Sequence, residues 1–76
     1  MTSPFSERVA ANIRAELARR SLSQTDLARM LGTTQQAISR RMSGKVPFNT
    51  DELNAIAKQL GVPVASLIPV EIGGAA

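Results

Sequence analysis

An all-α fold, a compact bundle of five short helices, is predicted for this 76-residue chain by three observations. Apolar residues recur at spacings of three and four, as they do along one face of an α-helix. The stretches between these patterns are short, opening helices on Ser, Thr or Asn and closing them on Gly. No segment makes a credible strand, and no internal repeat or low-complexity tract interrupts the pattern.

Phe5, Val9, Ile13 and Leu17 fall every four residues, Pro4 suits a first helical turn, and Ser3 is placed to cap it. The first helix therefore runs from Pro4 to Arg20. Leu22-Ser23-Gln24-Thr25-Asp26-Leu27 is the next start signal: Ser23 caps, Asp26 reaches back to it, and Leu22 staples onto Leu27. The second helix is Gln24 to Leu31, ended by Gly32, which accepts a left-handed backbone. Only Gly32, Thr33 and Thr34 precede the third helix, so helices two and three must turn sharply on one another. Thr34 is the N-cap of the third helix, which spans Gln35 to about Ser43 and stops at Gly44. After Lys45-Val46-Pro47, Asn49 caps a fourth helix over Thr50 to Leu60, with Glu52 as its box partner, Phe48 stapled to Leu53, and Gly61 as its stop. Pro63 opens a short fifth helix through Ile68, and Pro69 ends it. Residues 1–70 thus read as one domain and residues 71–76 as a frayed tail.

Composition narrows the chemistry. The chain holds no cysteine and no histidine, which removes disulfides, thiolate metal sites, cysteine nucleophiles and imidazole bases together. No cofactor, metal or small-molecule ligand is expected. A domain this short has little room for a deep catalytic cavity. The adjacent acids Asp51 and Glu52 sit in a first helical turn, where the helix dipole accounts for them without catalysis. Val62 to Val70 is too short and too interrupted by Pro63, Ser66 and Pro69 to span a bilayer, and Met1 to Phe5 lacks the regions of a signal peptide. These features fit a non-enzymatic, cytoplasmic protein. The net charge of +3 is distributed unevenly. Residues 1 to 45 carry eight basic side chains against three acids, whereas residues 46 to 76 carry one against three. A polyanion would meet the N-terminal half, although the same charges could simply solvate helix faces.

The third helix carries the chemistry. On a helical wheel Gln35, Gln36, Ser39, Arg40 and Ser43 fall within one arc of roughly 140°, and Thr34, Ala37, Ile38, Arg41 and Met42 occupy the other side. Gln pairs bidentately with adenine, Arg with guanine, and Ser with several bases. No acid lies between Gln35 and Lys45, so the face can approach phosphates without repulsion. A solvated helix more often carries Glu and Lys.

The run Ser23-Gln24-Thr25-Asp26-Leu27-Ala28, followed by Leu31-Gly32-Thr33-Thr34-Gln35-Gln36-Ala37-Ile38-Ser39-Arg40, resembles the helix-turn-helix of the lambda-repressor-like (Cro and repressor) family of phage and bacterial regulators. The likeness continues through Gly44-Lys45, Pro47-Phe48 and Leu60-Gly61-Val62. Ala28 stands at the family's small inter-helix residue, Gly32 at its turn glycine, and Ile38 at its buried branched residue. The resemblance implies double-stranded operator DNA as partner, with Gln35 and Gln36 at base-reading positions; Arg40, one turn further on, can reach a base or a phosphate, and Ser39 on the same exposed arc completes the expected base-reading set. It also implies backbone contacts from Gln24, Ser43 and Lys45, and Thr34 at the start of the third helix is expected to join them. For Gln24 the free N–H groups and positive dipole end of a helix start agree.

Two positions depart from the family. Arg41 replaces an often apolar residue, and its stem is expected along the core edge with the guanidinium emerging at the DNA backbone. Met42 replaces an often acidic residue, which puts in doubt an ion pair between helices one and three. Val62, Val64, Leu67, Ile68, Val70 and Ile72 are more apolar than a short terminal helix needs; they form either a homodimer surface, engaged in solution or only on DNA, or the last part of a small core. The functional expectation is a sequence-specific transcription regulator of repressor type. The alternative is a DNA-binding antitoxin or a protein-interaction adaptor on the same fold.

Overall fold

The computed structural model describes residues 4–69. Over them the chain forms α1 (Pro4–Arg19), α2 (Gln24–Leu31), α3 (Gln35–Met42) and α4 (Thr50–Leu60), followed by a 3₁₀ turn at Val64–Leu67. The bundle is all-helical, with four helices and not five. The expected fifth helix is a single tight turn because it is confined between two prolines. Pro69 pushes the residue before it out of the helical region, and Ile68 is extended at φ −98°, ψ 128°. Helices α1 and α3 each stop one residue sooner than the sequence pattern suggests, with Ser43 serving as the C-cap of α3. Ser3, Val70, Ile72 and the expected tail at 71–76 lie outside the described residues.

The predicted caps form. Ser23 accepts from Asp26 N–H at 3.1 Å while the Asp26 carboxylate accepts from Ser23 N–H at 2.8 Å. Asn49 and Glu52 repeat this box at 2.7 and 2.8 Å, and Thr34 accepts from Ala37 N–H at 3.1 Å. Each such cap contributes about 1 kcal/mol by satisfying donors that the first helical turn leaves free. At the other end of α2, Gly32 takes φ 68° and Thr33 N–H reaches back to the Ala28 carbonyl at 2.9 Å. The bend this makes leaves room for just two further residues before α3.

Val9, Ile13 and Leu17 from α1 meet Leu27, Ala28, Ile38, Met42, Leu53, Ile56, Ala57 and Leu60 in one core. Leu22 and Phe48, the two predicted staples, pack against its edge. Leu67 is fully buried in the same core. Of the two uses the sequence left open for it, pairing surface or core, burial decides for the core at Leu67, and its place in the pairing set is corrected because the side chain has no free face to offer. Val64 is 43% exposed and Ile68 half-buried. Asn12 of α1 donates to the Leu67 carbonyl at 3.2 Å, which ties the 3₁₀ turn to the first helix.

Candidate nucleic-acid interface

Helix α3 is short, and its orientation comes from its neighbours. Ile38 and Met42 enter the core at 2% exposure each, fixing the opposite side outward. α3 packs most extensively on α2, then on α1. Arg14 of α1 donates to the Met42 carbonyl at 3.1 Å, where the last turn of α3 has orphan acceptors and a negative dipole end. The ion pair put in doubt by Met42 is thus replaced by a bond from an arginine to the main chain. Sequence pattern does not reveal this link, because its acceptor is a carbonyl every residue carries.

The outward side holds the expected set. Gln35, Gln36, Ser39 and Arg40 are all exposed, and no intramolecular hydrogen bond or ion pair engages their side chains among the described residues. Thr34, Ser43 and Lys45 are exposed around them, and Gln24 is half-buried at the start of α2. The Thr34 hydroxyl caps α3, and the Ser43 hydroxyl donates to the Arg40 carbonyl at 2.8 Å. Val46 N–H reaches the same carbonyl at 3.4 Å, folding the chain after α3 so that Lys45 stays beside the helix end.

Much of the basic surplus is engaged inside the molecule. Glu16 accepts from Arg19 at 2.8 Å and from Arg20 at 2.6 Å; the Arg20 hydrogen bond, ahead of the nearby positive charges, holds the Glu16 carboxyl below its ordinary range despite some desolvation. Asp26 is likewise lowered, first by the Ser23 backbone N–H and then by the Ser23 hydroxyl. Arg29 approaches Asp26 at 3.5 Å. Arg41 departs from its expected emergence at the DNA backbone: its half-buried side chain turns to α4, where Nε lies 2.8 Å from Glu52 Oε2. Arg40 and Lys45 are the cations of this face without an internal acid.

A helix-turn-helix family model (HTH_3) matches residues 13–67. The chain belongs to the Cro/repressor-type helix-turn-helix DNA-binding family. In this family member the matched span covers the α2–α3 pair, all of α4 and the second half of α1. The fold is similar to that of the clp gene regulator ClgR from C. glutamicum, at 20% identity and a TM-score of 0.78 over 86% of this chain and 84% of that one. It is equally similar to the DNA-binding domain of BldD, at 22% identity and 0.77, over 91% of this chain and 100% of that one. The iron form of HppE matches at 23% identity and 0.77 over 86% of this chain but only 34% of its own. The family member therefore spans about a third of that protein, and the likeness is one of fold in the shared part. No curated protein sequence matches the chain significantly. Among the described residues no helix is long and apolar enough to cross a membrane.

Proposed function

We propose that this chain is a sequence-specific double-stranded DNA-binding transcription regulator, most simply a phage-type or bacterial repressor, whose α3 reads operator half-sites in the major groove. The observation that carries this reading is the exposed, acid-free row Gln35, Gln36, Ser39 and Arg40, whose side chains have no partner within the described molecule. Amide and guanidinium groups left unpaired on a core-anchored helix are suited to the donor and acceptor edges of bases. Gln24, Thr34, Ser43 and Lys45 flank the row and contact the sugar-phosphate backbone, which supplies most of the affinity and its salt dependence.

One copy reads too few base pairs for a unique site, so two copies bind half-sites about one helical turn apart. The exposed Val64 and the half-buried Ile68 are the described members of the apolar C-terminal set that remain for that pairing; Val70 and Ile72, of the same set, lie outside the described residues. Selection of bound duplexes from a random pool tests the proposal. A two-fold symmetric sequence with that spacing is expected. Recovery of unrelated sequences bound with equal affinity would refute it and favour an adaptor or antitoxin role for the fold.

A further inference from the structure

The recognition helix is gripped unevenly. α2 and α1 pack against it, but toward α4 a cleft of about 290 Å³ opens, walled by Ala37, Ile38 and Arg41 on one side and Glu52 and Ala55 on the other. Arg41 and Glu52 join the two helices across this cleft. Arg41 Nε sits between both carboxylate oxygens, 2.9 Å from Oε1 and 2.8 Å from Oε2. Another guanidinium nitrogen of Arg41, Nη1, donates to the Ala37 carbonyl at 3.3 Å, holding the side chain along its own helix. Glu52 is equally fixed, because Oε1 also accepts from Asn49 N–H at 2.8 Å in the cap of α4.

We infer that Arg41 and Glu52 are positioning residues: their pair sets the angle of α3 against α4 and so aims Gln36 and Arg40, and Arg41 is not a phosphate contact. This rests on the DNA-reading function proposed above. The geometry favours it over phosphate binding. A guanidinium freed for DNA would leave the Glu52 carboxylate exposed beside the cleft, whereas the pair as formed satisfies both groups and the first turn of α4. One arginine resides one position from Arg40 yet points to a different helix, since neighbours on an α-helix lie about 100° apart.

Glu52→Gln separates the possibilities by the sign of its effect. Glutamine retains the capping role at this position but removes the charge that holds Arg41. If Glu52 were a bystander acid, deleting it would strengthen binding to DNA by relieving repulsion and freeing Arg41. Positioning predicts the reverse: well below the melting temperature, the affinity ratio of selected to random duplex falls about fivefold, the scale of one partly exposed ion pair. Arg41→Gln gives the same loss, the double variant is no worse than either single one, and the slope of log affinity against log salt stays at the wild-type value. Unchanged or raised selectivity in Glu52→Gln, additive losses in the double variant, or a slope reduced by about one in Arg41→Gln would overturn the inference. A wild-type chain without selectivity would instead sink the DNA-reading function itself and leave the pair nothing to aim.

Discussion

Ser21 holds a left-handed backbone, φ 54°, at the end of α1, where Leu22 N–H closes onto the Leu17 carbonyl at 2.9 Å. This is the geometry that Gly32 and Gly61 supply at the ends of α2 and α4, built here on a residue with a Cβ. Ser21→Gly relieves that strain and stabilises the domain by about 0.5 to 1 kcal/mol after the added chain entropy is counted. Thermal unfolding should show a midpoint raised by several degrees, about 4 °C or more per kcal/mol at this size; a lowered midpoint would contradict the assignment. At the proposed binding face, Lys45 is an exposed cation without an acid partner among the described residues. Lys45→Ala should weaken selected and random duplexes alike and reduce the salt slope by about one, and a loss confined to the selected site would show that Lys45 reads sequence. Individual residues were legible from sequence only where their partners lie nearby. Ser23 with Asp26 and Asn49 with Glu52 announce themselves three residues apart, whereas Arg14 to Met42 and Arg41 to Glu52 join groups 28 and 11 positions away.

Helices carried more legible information, because each start and stop is written in a few adjacent side chains. α2 and α4 have the bounds their caps predict. The 3₁₀ turn falls short of the predicted fifth helix because Pro63 signals a helix start with equal strength whether four residues follow or twelve; the second proline decides the length. The Ser23–Asp26 box and the arginine contacts of Glu16 also make a pH prediction. The Asp26 carboxyl is held below its ordinary range by Ser23, and that of Glu16 by Arg20 and Arg19. A carboxyl lowered in the folded state contributes stability that is fully present above its unfolded value and is lost as pH falls through the folded one. The thermal midpoint should therefore decline on acidification through and below the ordinary carboxylate range. Ser23→Ala should cost about 1 kcal/mol at neutral pH and shed the smaller share of that acid decline, since the Ser23 hydroxyl bond to Asp26 is removed while the larger contribution, from the backbone N–H, remains. A variant with an unaltered acid limb would argue that the Ser23 hydroxyl does not contribute to holding Asp26.

For the whole molecule, a thin core has two tasks: it must be stable, and it must keep one eight-residue helix aimed outward. Leu67 shows the economy of the first, since a residue with the look of an interface side chain is spent on the interior. Sequence could not separate these uses, as burial and pairing both select apolar residues. If two copies pair as proposed, Val64 and Ile68 are the members of that apolar set which the fold leaves at the surface among the described residues. Sedimentation should find a single copy free in solution and two copies per selected duplex; one copy on the full symmetric site would exclude pairing on DNA.

The most direct test is the affinity of Gln35→Ala and Gln36→Ala for the selected duplex and for random DNA at one salt concentration. Each substitution is expected to cost about 1 to 3 kcal/mol on the selected sequence and little on random DNA. Equal losses on both would contradict the claim that the outward face of α3 reads bases.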